Sequence, residues 1–263
     1  MEDIYDVILV NIDIFFLILV RTTGIFIVSP VFGRNNLPMI MKIALSVLVA
    51  LILLPVISVA DQIQYTNLIV LAFSATKEFL LGIIIGFIGF IYFSFLYLAG
   101  TMIDTQVGFS MVNVLDPQMR TQVPIMGNYY NIIFTLIFLI FNGHHFILQA
   151  LVYSYEVLPI GSDFAAGEDI IYNLVIIMGE VFVLAFKFSA PILITIFLAN
   201  ILLGILARTM PQMNIFVVGL PLKILIGLLT IMITLQFIVP FSEVLFDKIF
   251  TSTYKIIQLL SKG

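Results

Sequence analysis

Apolar runs of membrane-spanning length constrain this chain more than any other feature of its sequence. They lie at 12–32, 39–60, 68–99, 128–153, 173–206 and 215–241, separated by short polar or proline-containing breaks. A helix that crosses a hydrocarbon core of roughly 30 Å needs about 20 mostly apolar residues. Strands of a membrane barrel would instead alternate in polarity over about ten residues, and no such alternation occurs. The chain is therefore expected to be an all-α integral membrane protein, with about six long, partly kinked helical segments arranged as hairpins. Residues 241–262 add a C-terminal amphipathic helix, with Phe241, Leu245, Ile249, Ile256 and Leu260 on one stripe. Its apolar face would rest on a membrane surface or on a partner subunit.

Composition supports this solvent assignment. Of the 263 residues, 62% are hydrophobic and 10% are charged, against about 45–50% and roughly 25% in soluble domains. The mean hydropathy is +1.22. No cysteine is present, which excludes disulfides, thiolate catalysis and cysteine-held metal centres. A net charge of −4 gives no reason to expect nucleic acid. The first residues, MEDIYDVILV, are acidic where a cleaved leader would be basic. The first apolar segment is expected to stay, and residues 1–263 to form one membrane-type domain.

Two runs are too long for one crossing. Residues 173–206 would measure roughly 50 Å as a helix, with Pro191 near the middle, where a kink or break is expected. Residues 68–99 carry Gly82 and Gly86, a small-xxx-small pair that lets two helix backbones approach. These runs read either as tilted spans or as long bent hairpins. Basic residues in the connections follow no consistent sidedness. Arg34, Arg120 and Arg208 argue for one topology, while Lys248, Lys255 and Lys262 pull the other way.

Charges within apolar runs are costly and turn toward protein or water. Those of interest are Arg21, Glu78, Glu180 and Lys187. Glu180 and Lys187, seven residues apart, share a helix face. They read as interhelical pairing or as part of an ion path. His144 and His145 are neighbours, pointing about 100° apart on a helix, which does not converge on a metal. They belong instead to a packed turn after Asn142 and Gly143. No hydrolase or phosphate-binding motif is present, so no enzyme and no cofactor are expected.

Two connections stand out. One, GTMIDTQVGFSMVNVLDPQMRTQVPIMGN, mixes Gly108, Phe109, Met111, Val112, Met119 and Met126 with Asp104, Asp116, Pro117 and Arg120. Methionine is deformable, and non-helical backbone at membrane depth must be buried in protein or face a water-filled cavity. The segment reads as a re-entrant packing loop or as a deformable plug. The other, RTMPQMNIFVVGLPLK, sets Arg208, Pro211, Gln212, Asn214, Gly219, Pro221 and Lys223 around an apolar core.

This second stretch resembles the C-terminal signature of the FliR family of flagellar export-gate membrane proteins and their injectisome counterparts. RTTGIFIVSPVFGRNNLP, Glu78 with Gly82, AGTMIDTQVGFSMVNVLDP, NGHH with Ser154, and Pro191 with Asn200 match the family in order along nearly the whole chain. NGHH and VGLPLK are closer to the flagellar branch. The resemblance implies a non-enzymatic subunit of a type III export gate in the bacterial inner membrane, at the flagellar basal body. It implies assembly with FliP-like, FliQ-like and FlhB-like subunits and passage of unfolded flagellar substrates. It further implies that residues 107–119 plug the closed pore, and that Arg208 to Lys223 form a hairpin near the cytoplasmic entrance, bounded by Pro211 and Pro221. The alternative from a different class is a small-molecule or ion transporter, with Arg21, Glu78, Glu180 and Lys187 along its path.

Overall fold

The computed structural model describes residues 12–33, 37–57, 68–111, 124–162, 167–210, 212 and 214–261. Eight α-helices are present among them: α1 (Ile12–Val28), α2 (Met39–Leu53), α3 (Leu68–Val107), α4 (Ile125–Ile140), α5 (Gly143–Val157), α6 (Glu168–Thr209), α7 (Ile215–Thr234) and α8 (Ile238–Leu260). The described residues contain no strand. The protein is an all-α membrane protein. Among the described residues, three helical runs are long and apolar enough to cross a bilayer, and a fourth if the broken pair α4–α5 is one span.

Several boundaries differ from those expected. The run at 68–99 continues to Val107, giving a helix of 40 residues. The helix containing Pro191 runs unbroken for 42 residues. Pro191 offers no N–H to the carbonyl four residues back, but its own carbonyl accepts the Thr195 hydroxyl at 2.8 Å. A helix loses one hydrogen bond at such a point without having to end. The segment at 128–153 divides instead at Asn142, whose φ of 55° is left-handed. The Asn142 carbonyl then accepts the His145 N–H at 2.9 Å and starts α5. At the other end, α7 passes through a 3₁₀ turn (Leu235–Phe237) into α8, so Val217–Leu260 is one helical run of 44 residues.

Contacts group the chain into two compact units. The first comprises the described residues within 1–92, 142–177 and 247–263, and the second those within 93–141 and 178–246. In the first, Ile14, Leu17, Ile18 and Ile25 of α1 pack with Val49 of α2, Ile85 of α3, Phe146 and Leu151 of α5, and Ile257 of α8. The apolar stripe of α8 is thus taken up within the chain: Ile249, Ile256 and Leu260 are buried, while Asp247, Lys255 and Gln258 face outward. This corrects the expectation that the stripe rests on a membrane surface or a partner. Sequence showed the stripe but not its cover.

The core of the second unit is aromatic. Phe188 meets Tyr130 edge-on at 4.8 Å, Phe95 meets Phe134 at 5.5 Å, and Phe138 meets Phe246 at 5.2 Å. Such pairs contribute about 0.5–1.5 kcal/mol each beyond burial. Threonine and serine hydroxyls are mostly satisfied inside their own helices, as in Thr22 to Ile18 at 2.8 Å and Thr230 to Ile226 at 2.9 Å. That leaves few polar groups to face hydrocarbon.

Helices α1 and α3 touch through backbone. A Cβ on Gly24 would stand 2.7 Å from the Phe79 carbonyl oxygen, and one on Gly86 2.8 Å from that of Ile25. A Cβ on Gly82 would overlap the Arg21 carbonyl oxygen. The spacing read from the sequence serves this approach. Gly82→Leu is expected to destabilise the fold by about 1–3 kcal/mol, as overpacking does. Gly179→Ala, with no atom within 4 Å of its Cβ, should leave stability unchanged. Thermal unfolding of both variants in mild detergent checks this; equal melting temperatures would refute the contact.

Candidate functional site

The first candidate residues are the charges within the membrane-type helices. Arg21 lies at the middle of α1, fully buried, and Glu78 on α3 is 3% exposed. The structure brings these two together: Arg21 Nε donates to Glu78 Oε2 at 2.5 Å. One carboxylate cannot satisfy five guanidinium N–H donors. Arg21 Nη1 also donates to Ser154 Oγ at 3.1 Å, and Nη2 to the Leu158 carbonyl at 3.0 Å. The guanidinium carbon sits 4.1 Å from the centre of the Tyr155 ring. Leu158 caps the C-terminus of α5, where the helix dipole favours a cation. Ser154, Tyr155 and the Leu158 carbonyl were not foreseen as partners of Arg21. The only signal available was the donor count of arginine, which demands acceptors without saying where they lie.

Glu180 and Lys187 belong to the second unit, on α6. Glu180 is half-buried and Lys187 exposed. Lys187 and Pro191 border a cleft of about 160 Å³, shared with Tyr130, Phe188, Thr234 and Phe237.

The connection after α3 is described at its beginning. Gly108 has a φ of 105°, a left-handed conformation that glycine adopts without strain. It closes α3 with its N–H on the Asp104 carbonyl at 3.0 Å. Phe109 is half-buried, and Met111 is 45% exposed. Val112, Asp116, Pro117 and Met119 lie outside the described residues.

The stretch Arg208 to Lys223 is a shorter connection than its sequence implied. Arg208 is exposed in the last turn of α6. Gln212 and Asn214 are exposed, and the Asn214 carbonyl accepts the N–H groups of Val217 and Val218. Helix α7 therefore begins at Ile215. Gly219, Pro221 and Lys223 lie inside it rather than in the turn, and Pro221 does not bound the turn. Proline lacks the N–H that the Val217 carbonyl would accept, yet α7 continues for 20 residues in all. Pro211 lies outside the described residues.

Long apolar helices, backbone-to-backbone packing and an internal ion pair define a helical membrane protein. Residues 12–249 match the model of the bacterial export proteins, family 1, and the chain belongs to that family. It is similar to the flagellar biosynthetic protein FliR of Bacillus subtilis (strain 168), at 34% identity over 227 residues, 85% of this chain and 86% of the relative. FliR of Escherichia coli (strain K12) is 27% identical over 252 residues, 94% of each chain. The Yop proteins translocation protein T of Yersinia pestis is 31% identical over 224 residues, 82% of this chain and 84% of the relative.

Removing one partner of a buried ion pair leaves the other charge uncompensated, at about 3–5 kcal/mol. Arg21→Met and Glu78→Leu are each expected to lower the melting temperature sharply, and the double variant to recover most of the loss. A double variant as unstable as the sum of both would overturn the pairing.

Proposed function

We propose that the chain is a non-enzymatic subunit of a type III flagellar export gate, helping to form and seal the channel for unfolded flagellar substrates. It would act in the bacterial inner membrane, at the flagellar basal body, with FliP-like, FliQ-like and FlhB-like partners. Membership of a bacterial export family, with flagellar and Yop-translocation relatives, sets the class.

One observation carries the assembly part of this reading. Helix α6 has 42 residues and so a length of about 63 Å, twice a hydrocarbon core of roughly 30 Å. It exposes Ile171, Phe182, Phe197, Leu202 and Ile205 along most of that length. Lipid can cover only half of such a helix, and the rest needs apolar protein. The transporter alternative is not favoured, because Arg21 and Glu78 have their polar groups on each other and on α5 rather than along a path.

The sealing part rests on the connection after α3. In the proposal, Gly108, Phe109, Met111, Val112, Asp116, Pro117 and Met119 act as the plug, and Arg208 to Asn214 as the entrance turn. Gly108 supplies the turn out of α3, and apolar, deformable residues follow it. Deleting residues 107–119 should leave complex yield nearly intact while making cells permeable to a small dye. A packing loop predicts the reverse, a lost complex in a tight membrane. An intact mutant complex in a tight membrane would end the plug assignment.

A further inference from the structure

Asp104, on the last turn of α3, holds two helix ends at once. Its carbonyl accepts the N–H of Gly108 at 3.0 Å, that of Ser110 at 3.3 Å, and the Ser110 hydroxyl at 3.0 Å. Its carboxylate accepts the Met126 N–H, at 3.2 Å from Oδ1 and 3.4 Å from Oδ2. Met126 is in the first turn of α4, whose N-cap is Pro124, with no side-chain cap hydrogen bond of its own. The first N–H groups of a helix need acceptors from outside it, and an anion there is favoured by the helix dipole. Asp104 supplies both from a different helix.

A second contact fixes the same register. Gly100, one turn before Asp104, lies against Gly127, one residue after Met126, and a Cβ on Gly100 would overlap the Gly127 backbone. Gly100 and Asp104 thus form one strip on α3, four residues apart, that meets Met126 and Gly127 of α4. Asp104 is 5% exposed, so water competes little for its carboxylate.

We propose that Asp104 is a positioning residue, which clamps the C-terminal turn of α3 to the first turn of α4 and thereby sets the place of Gly108 to Met111. Its functional meaning rests on the channel-sealing reading above. With α3 closed and α4 capped by one residue, the described ends of the connection cannot shift independently. Neutralising the carboxylate frees the first turn of α4 while the Gly100–Gly127 contact still holds the helices together.

The chain lacks cysteine, so Ser110→Cys introduces a single, conservative thiol at a half-buried position. The experiment measures alkylation of that thiol by a membrane-impermeant maleimide in the co-expressed, purified complex. Asp104→Ala should speed labelling by about tenfold, the scale set by one hydrogen bond to a charged group. Asp104→Asn, which keeps an acceptor but not the charge, should fall between. Unchanged labelling in recovered complex would overturn the proposal, as would loss of the complex with both variants, because a residue needed only for folding predicts that. Dye permeability of the same cells separates the two readings. Faster labelling in a tight membrane keeps the Asp104 role and removes the seal. Unchanged labelling removes the Asp104 role whatever the permeability.

Discussion

A guanidinium buried among apolar helices cannot be left short of acceptors, and the arrangement around Arg21 follows from that requirement. Three helices contribute: α1 the cation, α3 the Glu78 carboxylate, and α5 the Ser154 hydroxyl and, at its C-cap, the Leu158 carbonyl. The glycine contact makes this possible. Gly24 lies three residues after Arg21 and Gly82 four after Glu78, so each glycine shares a helix face with its charged neighbour. The close approach that only glycine permits therefore carries Glu78 to within reach of Arg21. Had either glycine been larger, the ion pair would have had to form across a gap, with a charge left partly unsolvated.

Features with a local period were legible in the sequence, and those that depend on a distant partner were not. The helical class, the long apolar runs and the Gly82–Gly86 groove follow from spacing along one helix. The amphipathic stripe of the tail was equally plain, but it packs in the chain's own core. The partners of Arg21 lie 57, 133 and 137 residues away, and no periodicity in a single sequence encodes such pairings. Asp104 was visible only as an acid in a connection, because its role depends on α4 lacking a cap of its own.

Proline did not mark where these helices break. Pro191 and Pro221 each lie inside a continuous helix, whereas the break in the fourth apolar run falls at Asn142 without any proline. In water, a lost backbone hydrogen bond weighs against continuing a helix. In apolar surroundings, leaving the helical state would expose several unpaired backbone groups in place of one, so the helix goes on. A left-handed residue such as Asn142 turns the chain while its carbonyl starts the next helix, and little is left unpaired.

Helices in a bilayer form before they meet, and lipid tails give them no hydrophobic reason to associate. Contacts between them must then cost little in disorder. Fixing a buried leucine or isoleucine removes about 0.5–1 kcal/mol of rotamer freedom, and a methionine up to about 2. Gly24, Gly82 and Gly86 have no rotamers to lose, so the α1–α3 junction forms with almost no side-chain entropy opposing it. The aromatic core of the second unit, built from phenylalanines that must each settle into one orientation, carries a larger entropic cost. On this account, rising temperature should weaken the aromatic packing before it weakens the glycine seam.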